Sequence, residues 1–132
     1  MNQCDILIID DDSDDIEILS DVFIKNGIKK IHYEKSAPLA LNYLQTFTNK
    51  ADLPCLIVSD LYLRGMDGGE FLQTIKALPK LQHIPVILLS TQCTARDVEK
   101  YRNMGARDFI VKPSSYDDYI KLGASIKKTI EE

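Results

Sequence analysis

The stretch Cys55-Leu56-Ile57-Val58-Ser59-Asp60 is a short apolar run that closes on a carboxylate. A run of this length bounded by turn signals fits a strand buried on both faces. Three other apolar runs also end in polar residues. Ile6-Leu7-Ile8-Ile9 leads into Asp10-Asp11-Asp12, Val86 to Leu89 leads into Ser90-Thr91, and Phe109-Ile110-Val111 leads into Lys112-Pro113. A fifth, Ile31 to Glu34, is short and alternating, as expected of a less buried strand. If these strands are parallel in one open sheet, their carboxyl ends share an edge, where ligands bind. Acids, a hydroxyl and an ammonium then converge on one cleft.

Helical periodicity fills the intervals. Ile16, Leu19 and Phe23 recur at helical spacing after the first strand, with Ser13 as the expected cap and Gly27 as the stop. Ser36 caps a second helix carrying Ala37, Ala40, Leu41 and Leu44, with Pro38 tolerated in its first turn. Asp67-Gly68-Gly69-Glu70 has capping-box spacing before Phe71, Leu72, Ile75 and Leu78, and Pro79 ends that helix. Thr94 starts a fourth helix with Val98, Tyr101 and Met104 inward, closed by Gly105. Ser115 to Asp118 starts a fifth that runs to about Ile130. Strands alternating with helices over short loops predict an α/β, doubly wound, five-stranded parallel sheet. The flavodoxin-like (βα)5 order 2-1-3-4-5 sets strands one and three side by side, and Asp10 beside Asp60.

Composition narrows the function. The 132 residues fit a single domain, and 45% hydrophobic with 27% charged residues is a globular balance. A net charge of -4 without a basic patch argues against direct nucleic-acid binding, which Lys and Arg drive. No signal peptide or membrane span is legible, so a cytoplasmic location is expected. Three cysteines without CxxC spacing fit reduced thiols, with Cys4 and Cys55 inert beside strands and Cys93 in a loop. His32 and His83 lack partner spacing and read as surface residues.

Carboxylates gathered within a few ångströms raise one another's pKa unless a cation intervenes. Mg²⁺ suits Asp10, Asp11 and Asp60, with a backbone carbonyl just after Asp60, such as that of Tyr62, as a further oxygen ligand. Asp12, Asp14 and Asp15 read as solvated charges at a helix start. Lys112 supplies a point charge for a phosphoryl oxygen and Ser90 a hydroxyl donor, with Thr91 as its substitute. Metal, ammonium and hydroxyl are the parts that phosphoryl transfer to a carboxylate requires, and an ionised carboxylate needs no general base.

With Asp10-Asp11 after strand one, Asp60 followed by Met66-Asp67-Gly68, Ser90-Thr91 after strand four and Lys112-Pro113 after strand five, the chain resembles the receiver domain of two-component response regulators. The resemblance covers about residues 4 to 130. It implies that Asp60 is the phospho-acceptor, Asp10 and Asp11 the metal-binding acids, Ser90 the switch hydroxyl and Lys112 the phosphate-contacting lysine. It also implies a cis Lys112-Pro113 bond and a switch role for Phe109. The partners implied are a histidine kinase or histidine phosphotransfer protein and an output protein.

Arg64 and Ser114 depart from the family pattern, as do Arg107-Asp108 and Leu122, where DNA-binding members often carry an acidic pair and an Arg that form a dimer. A monomer or weak dimer is therefore expected. Because the chain stops at Glu132, no effector domain is expected. Two other readings compete. A haloacid dehalogenase-type phosphatase would read Asp10-Asp11-Asp12 as D-x-D but leaves Asp60 without a task. A receiver fold kept only for docking would leave the acids, hydroxyl and lysine unused. Flavodoxin is disfavoured, since no Ser/Thr/Gly-rich phosphate loop follows the first strand.

Overall fold

The computed structural model describes residues 5–131. Five strands, β1 (Asp5–Ile9), β2 (Lys30–Glu34), β3 (Leu56–Asp60), β4 (Val86–Ser90) and β5 (Asp108–Val111), pair in parallel in the order β2-β1-β3-β4-β5. The helices are α1 (Ser13–Lys25), α2 (Ala37–Gln45), α3 (Gly68–Ala77), α4 (Ala95–Asn103) and α5 (Tyr116–Glu131). A short 3₁₀ turn, Lys50–Asp52, precedes β3.

Because side chains alternate across a strand, each apolar run serves two cores. Leu7, Ile9, Ile57, Val86, Leu88 and Phe109 pack with the buried faces of α2 and α3, whereas Ile6, Ile8, Leu56, Val58, Ile87 and Leu89 pack with those of α1 and α5. β3 and β4 are buried throughout, which is why they read as continuous apolar runs, while the edge strand β2 has only exposed and half-buried positions. α4 has no fully buried residue; it meets the core through half-buried Val98 and Tyr101, with Met104 just beyond its end.

The capping expectations hold for α2, α3 and α4: the side chains of Ser36, Asp67 and Thr94 accept from the backbone N–H of Leu39, Glu70 and Asp97, and α3 has the full capping box. At α1 the cap is Asp12 instead of Ser13. Asp12 has extended backbone and its carboxylate accepts from Asp14 N–H at 2.9 Å, while Ser13 is already helical and its hydroxyl accepts from Lys35.

Three other expectations are corrected. Cys55 is disulfide-bonded rather than reduced and Cys93 is free, while Cys4 lies outside the described residues. Cys55 N–H donates to the Asp5 carbonyl at 3.0 Å, which ties the residue preceding β3 to the start of β1. The Lys112-Pro113 bond is trans, as are all described peptide bonds, in keeping with the intrinsic preference of about 0.5–1 kcal/mol. His32 has partners after all. It stacks on Tyr43 with ring centroids 3.8 Å apart and lies 2.6 Å from the Glu34 carboxylate.

Candidate functional site

The sheet order carries the ends of β1 and β3 side by side, and their acids with them. Asp60, the last residue of β3, and Asp10, the first after β1, are both buried. Asp11 is exposed at the rim. One carboxylate oxygen from each of Asp10, Asp11 and Asp60 lies within 4.8 Å of the other two.

The backbone turns both buried acids into acceptors. Asp10 Oδ1 accepts from Asp12 N–H at 3.0 Å, and Asp60 Oδ1 accepts from Tyr62 N–H at 3.4 Å. The loop after Asp60 is held close by Gly68, where a Cβ would lie 2.5 Å from the Asp60 carbonyl oxygen and 2.9 Å from Leu61 Cα. Only a glycine lets the start of α3 approach the end of β3 this closely. The Met66-Asp67-Gly68 segment was singled out in the sequence, but the steric demand on Gly68 is visible only with β3 in place.

Lys112 reaches the acids from the end of β5. Its Nζ lies 2.7 Å from Asp15 Oδ2, 2.9 Å from Asp10 Oδ2 and 3.3 Å from Asp60 Oδ2. Burial opposes the ammonium charge, but the contacts to Asp15, Asp10 and Asp60 outweigh it, so the lysine pKa is raised. Burial pushes the Asp10 carboxyl up to about 6, despite the Asp12 N–H and Lys112. Burial likewise raises Asp60 against the pull of Lys112.

Asp15 is the residue that sequence reasoning missed. It belongs to the first turn of α1, and among Asp12, Asp14 and Asp15 nothing local marks it as the partner of a lysine 97 residues away.

Ser90, the last residue of β4, is buried, and its hydroxyl accepts from Gln92 N–H at 3.2 Å. Its carbonyl accepts from Lys112 N–H at 2.7 Å, which couples the loop after β4 to the end of β5. Phe109 points into the core, 4% exposed, and stacks on Tyr101 of α4 with centroids 5.1 Å apart and planes 3° from parallel. The Tyr62 side chain is 59% exposed.

The donor set fits a hard divalent cation. All of its atoms are carboxylate oxygens, and the single ammonium of Lys112 meets three acids, Asp10, Asp15 and Asp60, while Asp11 lies beside Asp10 and Asp60. Mg²⁺ or Mn²⁺ is the class of ion that oxygen-only sites favour.

A buried acid at a central strand end, flanked by two more acids and a lysine across a doubly wound sheet, defines a receiver-type site. A family model of the response regulator receiver domain matches residues 6–122. The chain belongs to this family, whose members are receivers of two-component systems. It is 30% identical over 122 residues to the two-component response regulator ORR12 of Oryza sativa subsp. japonica, covering 92% of this chain and 97% of that one. The phosphorylated cyanobacterial phytochrome response regulator RcpA superposes with a TM-score of 0.86 at 24% identity, covering 98% and 95% of the two chains, a likeness of fold. The Mn²⁺-bound response regulator Rcp1 superposes with a TM-score of 0.81 at 26% identity, covering 95% and 92%. The family assignment favours neither the phosphatase nor the docking-only reading.

Proposed function

We propose that the protein is a phosphorylation-dependent switch in a two-component or phosphorelay pathway, with Asp60 as the phospho-acceptor. The observation that carries this reading is the convergence of Asp10, Asp11, Asp60 and Lys112 at one strand edge. An Asp60 carboxylate oxygen attacks the phosphorus of a phosphohistidine. The new O–P bond forms as the N–P bond breaks, and the departing imidazole nitrogen takes a proton. Asp10, Asp11 and Asp60, with the Tyr62 carbonyl, would hold Mg²⁺, which supplies charge neutralisation on the phosphoryl oxygens. Lys112 turns an N–H toward the transferred group, and Ser90 gives its hydroxyl to a second oxygen.

Closure of Ser90 onto the phosphoryl group moves the loop that precedes α4. Phe109 and Tyr101 would carry that movement to the α4 surface, since they stack across β5 and α4. Few free-energy units are required: a few kcal/mol of differential interaction shifts a two-state surface from mostly one form to mostly the other. The donor is a histidine kinase or histidine phosphotransfer protein, and output runs through contact with another protein. Hydrolysis of the acyl phosphate resets the switch. The protein acts in the cytoplasm as a monomer or weak dimer; no helix among the described residues is long and apolar enough to cross a membrane.

Intact mass after incubation with phosphoramidate and Mg²⁺ tests this reading. One added phosphoryl group is expected on the wild type, and none on Asp60→Asn or in excess EDTA. Absence of the adduct on wild type, under conditions that label a known receiver, would count against it in favour of a docking module.

A further inference from the structure

We propose that Asp15 is a positioning residue of this site: a carboxylate outside the metal-binding set that shares the charge of Lys112 with Asp10 and Asp60 and so weakens the hold of the ammonium on the two acids that would bind a divalent cation. The inference rests on the receiver reading above. A lysine ammonium has three N–H donors. Here it meets three carboxylates, and the contact to Asp15, at 2.7 Å, is shorter than those to Asp10 at 2.9 Å and Asp60 at 3.3 Å. Asp15 is not part of the acidic group formed by Asp10, Asp11 and Asp60.

The competition is electrostatic. Ammonium and cation call on the same two carboxylates, Asp10 and Asp60, so charge that Lys112 places there opposes the metal. Asp15 draws Nζ to the α1 side. Its side chain is 24% exposed, against 1% for Asp10 and 9% for Asp60, so of the three carboxylates it is the one least withdrawn from water. Its place in the first turn of α1, where the helix dipole favours a negative charge, acts in the same direction. With Asp15 holding one N–H and Asp10 a second, the third is directed at Asp60, where a phosphoryl oxygen would replace the carboxylate as acceptor. Without Asp15, Nζ settles between the two acids that the metal needs.

The test is a titration of the full chain with Mg²⁺ alone, read from backbone amide NMR shifts, which also report whether each variant is folded. Asp15→Asn should weaken Mg²⁺ binding by about threefold to tenfold, the scale of a partly screened charge near the site. Asp15→Glu should return it to within about twofold of wild type. In a Lys112→Met background the effect of Asp15→Asn should shrink to less than about twofold, since the residue acts through the lysine. Unchanged affinity in Asp15→Asn, or an equal loss with and without Lys112, would overturn the inference. Failure of the receiver reading shows separately, as absence of a phosphoryl adduct on wild-type protein whose Mg²⁺ titration still decides the role of Asp15. A wild type that does not saturate with Mg²⁺ would overturn both the metal assignment and this role.

Discussion

Asp10 illustrates what a buried carboxylate costs its own fold. It is 1% exposed, and burial lifts its pKa from 3.8 to about 6. A folded-state pKa above the unfolded value means that the native protein binds the proton more tightly. The group's favourable contribution is then present below about pH 4 and is lost as pH rises through about 6. In metal-free buffer at pH 7.5, Asp10→Asn is therefore expected to stabilise the protein by about 1–3 kcal/mol, measured by urea denaturation. The same substitution should remove most of the stabilisation that Mg²⁺ gives the wild type. A destabilised Asp10→Asn protein in EDTA would contradict the account of this residue. The roles of Asp10, Asp11, Asp60 and Lys112 could be proposed from sequence because each closes or follows a run of buried strand. Asp15 could not, because its partner is fixed by tertiary structure alone.

At the scale of elements, the site depends on how closely α3 is pinned to the end of β3. Asp67 caps α3 reciprocally with Glu70, and Gly68 lies against the Asp60 carbonyl. Asp67→Ala should cost about 1 kcal/mol of stability, read by thermal or urea unfolding, with little change in the site. Gly68→Ala differs in kind. Its Cβ has no room beside backbone atoms, so either the loop or the strand end must shift, at about 1–3 kcal/mol, and phosphorylation by small donors should slow. A Gly68→Ala protein with wild-type stability and labelling rate would show that the close approach has no consequence. Strand and helix spans were legible because β3 and β4 are buried on both faces and α1, α2 and α3 carry apolar stripes. Less legible were the α1 cap, where Asp12 and Ser13 are equally able chemically, and the state of Cys55, since three cysteines without a spacing motif do not announce a disulfide.

For the whole molecule, three acids contact one lysine and a fourth, Asp11, stands beside two of them, an excess of negative charge that a divalent ion would relieve. Mg²⁺ should raise the unfolding midpoint with concentration, following the logarithmic law for a ligand that binds only the native state, about 2.7 kcal/mol at a hundredfold excess over Kd. The strand order 2-1-3-4-5 was expected from likeness to the flavodoxin-like fold, and the structure has it. What the alternation alone left open was that order, since crossover handedness does not choose which strands are neighbours. The most direct measurement of the central claim is reductive trapping: treatment of phosphoramidate-labelled protein with borohydride, which converts an acyl phosphate to an alcohol, followed by peptide mapping. Reduction at position 60 alone, dependent on Mg²⁺, is the result this account predicts. Reduction at Asp10 or Asp11, or at no carboxylate in a protein that labels, would contradict it.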